Sequence, residues 1–208
     1  MVKFPIDRSD RKEIGKTGEY VSAIGLGTWA IRDYNRALET FVYAIEHGID
    51  NIDTAEMYDN GRAEEMVGKV IKHVGRDKVF VTTKLLPEHV ISKDAVLKAT
   101  KACLRRLGVS EVDLLLIHWP NPPLTVSEQV RNPEEAFNHE LTRYIRASNF
   151  ETNELKEAIS STRKAEIVVD QVRYSIIHKD IEEHLLPFAI EEKITIQAYS
   201  PLERDGIF

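Results

Sequence analysis

Residues 112–119 read VDLLLIHW. Four apolar side chains stand at successive positions, Leu114 to Ile117, and a histidine and a tryptophan follow at once. A strand with one wet face alternates apolar and polar residues. A strand covered on both faces does not, because each side of its pleat meets other protein. The run in EIVVDQVRY (166–174) has the same character. Both stretches predict strands of a parallel sheet with helices packed outside it.

Working outward, similar short runs recur in SAIGLGTW (22–29), NIDTA (51–55), KVFVTTKL (78–85), TRYIRASN (142–149) and KITIQAYS (193–200). Comparable points at 23, 51, 79, 112, 143, 167 and 194 are separated by 28, 28, 33, 31, 24 and 27 residues. Most of the gaps hold helical patterns. Leu38, Phe41, Val42 and Ile45 share one face, with His47-Gly48 as the stop. Ala63, Met66, Val67, Val70 and Ile71 form a second stripe in a helix opened at Asn60. Val96, Ala99, Cys103, Leu104 and Leu107 form a third, between Ser92 as N-cap and Gly108. In the fourth gap Asn132-Pro133-Glu134-Glu135 supplies a cap, a first-turn proline and two acids at the positive end of a helix. Pro187 forbids one helix across 180–192, so a short turn and then a helix from about 187 are expected.

Strands alternating with helices at this interval mean successive βα units. A doubly wound sheet is the rival, but its glycine-rich phosphate loop is missing: GLGTWA runs into Ile31-Arg32-Asp33 and never completes G-x-G-x-x-G. The pattern therefore predicts a (β/α)8 TIM barrel. Seven strand units are present where eight are expected. Residues 1–208 are read as one barrel domain truncated after strand 7, lacking a last helix-strand-helix unit. An N-terminal extension or hairpin is expected at the barrel bottom.

In such a barrel, chemistry belongs where strands end and βα loops begin. Asp53 ends strand 2, and Tyr58 lies in the loop after it. Lys84 ends strand 3 and His118 strand 4. Ser148 and Asn149 end strand 5, Gln171 sits on strand 6, and Tyr199 and Ser200 end strand 7. A tyrosine, pKa about 10, is a poor acid at neutral pH. A neighbouring ammonium favours its phenolate, and a carboxylate holds that ammonium in place. A neutral imidazole can orient a carbonyl oxygen toward the phenol. Asp53, Tyr58, Lys84 and His118 are thus equipment for general-acid reduction of C=O. The amides of Asn149 and Gln171 and the ring of Tyr199 suit a nicotinamide as hydride source. Taken singly, each residue has a plainer use: a turn cap, a packed ring, a solvated charge.

NIDTAEMY, VTTK, LLLIHWP, ASNF, DQVRY and AYSPL, in this order across residues 12–202, resemble the aldo-keto reductase family. The resemblance implies Tyr58 as proton donor, Lys84 and Asp53 as its tuners, and His118 as the group that orients the carbonyl. It implies nicotinamide contacts from Ser148, Asn149, Gln171 and Tyr199, with Ser200 and Leu202 near the pyrophosphate. Gly27, Thr28 and Trp29 resemble the family's first loop against cofactor and substrate, and Trp119 joins Trp29, Tyr58 and His118 around the substrate. NADPH, or less often NADH, is the implied cofactor. The family's grip on the 2′-phosphate lies in the missing last unit, so the choice between the two stays open. Three positions depart from the family pattern: Arg146 and Glu140 where glycine is usual, and Asp170 where asparagine is.

Composition narrows the partners. With 42% hydrophobic and 30% charged residues, 208 residues suit a globular domain with a substantial core. The net charge of −6 and scattered Lys and Arg argue against nucleic acid. No run approaches ~18 apolar residues, so no membrane span is expected. MVKFPIDRSDRKE lacks a signal-peptide core, and Cys103 has no partner for a disulfide, which together suit a cytoplasmic setting. No metal motif is present. The expected partner is a small-molecule carbonyl substrate. Three other readings stay open: a reductase-like binding or regulatory subunit without catalysis, an inactive fragment, and a lyase using Lys84 as a Schiff base.

Overall fold

The computed structural model describes residues 10–203, except for the side chains of Arg146 and Ala147. Met1–Ser9 and Arg204–Phe208, which the single-domain reading included, lie outside the described residues, as does the Arg146 side chain.

Seven parallel strands pair in the order of the chain: β3 (Leu26–Gly27), β4 (Asn51–Asp53), β5 (Phe80–Leu85), β6 (Val112–Ile117), β7 (Thr142–Ser148), β8 (Ile167–Arg173) and β9 (Thr195–Tyr199). Each lies within a predicted span. The sheet has two apolar faces. Leu115 and Ile117 join the outer layer with Ile52, Val81, Val67 and Leu107, where helices cover the sheet. Leu114 and Leu116, the alternate residues of the same strand, turn inward to Phe80 and Val168. That two-sided burial explains the unbroken LLLI run.

The helices follow the stripes. Helix α1 (Tyr34–Glu46) is capped by Asp33, whose side chain accepts from the amides of Asn35 and Arg36. Helix α3 (Lys93–Leu107) opens on Ser92 and closes on Gly108. Cys103 is fully buried in α3, and burial pushes its thiol far above the usual range.

Boundaries differ from expectation at four places. Strand β3 keeps only two residues, because Ser22 belongs to a hairpin strand and its amide donates to Asp50 Oδ1 at 2.8 Å. Helix α2 (Arg62–Val74) starts after Gly61 rather than at Asn60, which has φ +53° and stands outside any right-handed turn. The fourth connection contains two helices, α4 (Val126–Arg131) and α5 (Glu134–Asn138). Thr125 and Glu128 form a capping box on the first of them, a T-x-x-E signal the sequence reading passed over. After α6 (Thr152–Ser161), α7 (Leu185–Glu191) begins two residues before Pro187. Proline fits there because amides of the first turn have no intrahelical acceptor to lose. Glu140, one of the three departures noted from the sequence, adopts φ +55°, a left-handed conformation that glycine takes without strain.

The expected hairpin is β1 (Arg11–Glu13) with β2 (Tyr20–Ser22). It covers the end of the sheet where the strands start. Ile14 and Val21 pack with Phe80, Leu114 and Val168 as an apolar plug. Gly15 allows this contact: it has φ +58°, and a Cβ there would stand 2.8 Å from Val168 Cβ. Its amide donates to Thr195 Oγ1 at 2.7 Å. No described helix is long and apolar enough to cross a membrane.

Candidate active site

At the opposite end, the six strands from β4 to β9 each place a polar group at or just beyond their ends. Asp53 is the last residue of β4, and the chain then has five residues in which to bring Tyr58 back over the sheet. It does so in a tight turn, with the Glu56 amide donating to the Lys84 carbonyl at 3.2 Å and the Tyr58 amide to the Ala55 carbonyl at 3.1 Å. Two left-handed residues, Asp59 (φ +49°) and Asn60 (φ +53°), then Gly61 (φ +86°), lead on into α2. Asp and Asn tolerate this region better than other side chains. Glycine suits position 61, because its φ is left-handed and a Cβ there would fall 2.5 Å from Arg106 Cδ, displacing that side chain. The Tyr58 ring is thereby buried.

Lys84 points inward from β5 and is 1% exposed. A buried ammonium is costly unless its hydrogens find acceptors. Its Nζ donates to the Asp53 carboxylate, to the Thr54 carbonyl at 3.1 Å and to the Tyr58 hydroxyl at 3.0 Å. His118 follows β6, and its amide donates to the Leu85 carbonyl at 2.9 Å. Its ring stands edge-on to that of Tyr58, with centroids 5.4 Å apart. Burial first, then the Lys84 charge, push the imidazole down to about 4, with Asp53 opposing. The ring is therefore neutral near pH 7. Its Nδ1 is buried without a hydrogen-bond partner among the described residues.

Two tryptophans border this group. Trp29 meets the edge of Tyr58 at 5.1 Å between centroids, and Trp119 leans on His118 at 4.8 Å. Both keep over a third of their surface in solvent. Beyond them a cavity of about 720 Å³ runs down the inside of the sheet. Ser148, Asn149, Gln171, Tyr199 and Ser200 line its far wall, and Gly27 lines it near Trp29.

The wall is cross-linked. Ser148 Oγ hydrogen-bonds to the carbonyls of His118 and Gln171, at 3.2 Å each. Asn149, at φ +59°, donates from Nδ2 to Ser148 Oγ at 3.2 Å and accepts the Tyr199 hydroxyl on Oδ1 at 3.0 Å. Gln171 Nε2 donates to Asp53 Oδ2 at 2.9 Å. Asp53 thus has Lys84 on one oxygen and Gln171 on the other, and so joins the expected proton-donor group to the expected cofactor wall.

Three expected site residues stand back from the cavity. Lys84 meets it only through Asp53 and Tyr58, which line it. Thr28 is buried, with its amide and hydroxyl both donating to the Asp53 carbonyl. Leu202 lies outside the cavity lining and is 64% exposed. Gln197 was missed: its Oε1 accepts from Gln171 Nε2 at 3.2 Å. Its position two residues before Tyr199, on the same face of β9, was the available signal. Glu56 was also missed. It accepts the Leu86 amide at 2.5 Å and contacts His89 Nδ1 at 2.8 Å.

Residues 23–208 match the model of the Aldo/keto reductase family. The chain is 33% identical over 207 residues to the aldo-keto reductase YhdN of Bacillus subtilis, covering 92% of this chain and 61% of that protein. It is 30% identical over 220 residues to the NADH-specific methylglyoxal reductase of Escherichia coli, covering 92% and 67%. Among solved structures it resembles the thermostable aldo-keto reductase Tm1743 bound to the inhibitor epalrestat, with a TM-score of 0.89 and 40% identity over 95% of this chain and 75% of that one. An aldo/keto reductase from Klebsiella pneumoniae, in complex with NADP and acetate, gives 0.80 and 34%, over 90% and 67%. The chain spans about three fifths to two thirds of the length of these curated relatives.

Proposed function

The chain belongs to the aldo/keto reductase family, and from that premise we propose that it reduces the carbonyl group of a small aldehyde or ketone, with Tyr58 as the proton donor. The observation that carries this reading is the Lys84 ammonium, buried and held between the Asp53 carboxylate and the Tyr58 hydroxyl. An ammonium 3.0 Å from a phenol stabilises the phenolate that remains once the proton has left. Asp53 keeps that ammonium charged and fixed. His118, uncharged because its burial disfavours the imidazolium, offers a ring N–H to the carbonyl oxygen without competing as an acid. In the balanced reaction the carbonyl carbon gains a hydride, its oxygen takes the Tyr58 proton, and the C=O bond becomes an alcohol.

The cofactor is NADPH or NADH, and when bound it supplies the hydride. The residues fit its nicotinamide. The Asn149 and Gln171 amides and the Tyr199 ring face one cavity whose volume is in the range of small-molecule sites. Amides pair with a carboxamide, and a phenol ring offers it a flat apolar surface. The Klebsiella pneumoniae neighbour is a complex with NADP, and the Escherichia coli relative is named as NADH-specific, so both forms have precedent among similar proteins. That relative is also named as a methylglyoxal reductase, which supports short oxoaldehydes as the substrate class. Trp29 and Trp119 would bound the carbonyl compound and keep water from the phenol.

Titration of NADPH fluorescence followed by addition of methylglyoxal tests this directly. Wild-type protein is expected to bind NADPH and then oxidise it. Tyr58→Phe keeps the binding and loses roughly 10²–10⁴ in kcat. Turnover by Tyr58→Phe at the wild-type rate removes the mechanism, and binding without any oxidation favours a non-catalytic subunit.

A further inference from the structure

The segment between β5 and α3, Leu86 to Val90, carries none of the groups assigned above. Yet it is tied to the loops on both sides of it. Glu56, two residues before Tyr58, sends its carboxylate across to accept the Leu86 amide and to meet His89 Nδ1 through the same oxygen. That side chain is only 8% exposed, so little water can replace these partners. On the other side Asn121, three residues after His118, donates from Nδ2 to the Pro87 carbonyl at 2.9 Å. Its own amide donates to Oε1 of the buried Gln129 at 2.8 Å, and Gln129 Nε2 donates to the Leu124 carbonyl at 3.2 Å. Asn132 Nδ2 adds a bond to the Val90 carbonyl at 2.8 Å.

Each neighbouring loop leaves the sheet with a main-chain bond to β5, from the Glu56 amide to the Lys84 carbonyl at 3.2 Å and from the His118 amide to the Leu85 carbonyl at 2.9 Å. Tyr58 is followed by two left-handed residues, and the stretch from His118 to Thr125 precedes any helix. Between them lies the 86–90 segment, a single 3-10 turn at Pro87–His89 that is bonded to both. We propose that this turn is a bridge that sets the separation between the Tyr58 hydroxyl and the His118 ring, with Glu56 and Asn121 as positioning residues at its two ends. The proposal rests on the reductase reading, in which phenol and imidazole must meet one carbonyl oxygen. A displacement near 1 Å at such a point costs up to about a hundredfold in rate.

The test uses the full chain with NADPH and methylglyoxal. Glu56→Ala is expected to lower kcat roughly ten- to a hundredfold, leaving NADPH affinity within about twofold of wild type. Glu56→Gln restores most of the rate, because an amide oxygen still accepts the Leu86 N–H. Asn121→Ala gives a similar loss, and it carries the test alone if Glu56→Ala fails to fold. The double variant is no slower than the slower single one, since both cut the same bridge. Hydrogen exchange provides a readout independent of turnover: Glu56→Ala speeds exchange at 118–124 as well as at 86–90, and Asn121→Ala speeds it at 54–61. Rate losses that multiply in the double variant, or exchange confined to each variant's own loop, overturn the bridge. Cross-loop exchange in a protein that never oxidises NADPH supports the bridge and counts against the reductase reading alone.

Discussion

Asp53 stands at the mouth of the sheet and Asp113 at its base, and each faces cations from neighbouring segments. Asp113 is held on every side. Arg143 Nη1 reaches Oδ1 at 2.9 Å, while Arg76 Nη2 at 2.8 Å and the Val81 amide at 2.7 Å reach Oδ2. Burial pushes its carboxyl up and the Arg76 charge opposes. Arg143 passes the contact to Glu19 of the hairpin connection, so the network ends in a clasp. Asp53 also has both oxygens engaged, but the chain of contacts leads elsewhere: through Lys84 to a phenol, and through Gln171 to the cavity wall. The same kinds of charge fasten one end and, in our reading, tune the other. The difference lies in where the hydrogen-bond chain stops, in protein or in open space.

If that division is right, substitutions at the two ends fail differently. Tyr58→Phe takes the largest toll, on rate, and should leave thermal unfolding nearly unchanged. Asp113→Ala reverses the pattern. It leaves two arginines and the Val81 amide without their carboxylate, a loss of about 3 kcal/mol, measured by denaturant unfolding, while kcat stays within a few-fold. A rate collapse in Asp113→Ala at unchanged stability would erase the distinction between the ends.

A smaller effect sharpens the comparison by pH. Unfolded histidine titrates near 6.5, whereas folded His118 titrates near 4. Between these values the unfolded chain binds more protons. Stability therefore falls as pH drops from about 6.5 toward 4, and His118 contributes no slope above that window. His118→Gln should flatten the dependence of unfolding midpoint on pH in that interval; equal slopes in the two proteins would contradict a buried neutral imidazole. Smallest of all, Glu140→Gly relieves a left-handed side chain outside the cavity lining. A gain of roughly 0.5–1 kcal/mol is expected, with no change in kcat.

The mouth was far more legible in the sequence than the base. Asp53, Lys84, His118 and Tyr199 all fall at strand ends, so a period in the chain was enough to bring them to one rim. The contacts of Asp113 have no such period. Arg76 comes from a one-turn helix, Arg143 from the start of β7, and the bond from Tyr144 to Glu19 spans 125 residues. Nothing local in NHELTRY or DKVFV marks those partners. Within the site the reading failed where the function of a residue is set by its tertiary neighbour. Glu56 looked like one more acid in NIDTAEMY, and only the fold brings Leu86 and His89 to it. Strand β3 was overextended for a similar reason, since Ser22 is drawn into the hairpin by Asp50, 28 residues away.

The sealed position of Cys103 in α3 has a practical corollary. The chain contains one cysteine, and that thiol is out of reach of solvent and far from its reactive thiolate form. A maleimide dye should therefore ignore the wild-type protein. Leu202→Cys, at an exposed position beside the Tyr199–Ser200 turn, would then accept the dye at a single known point.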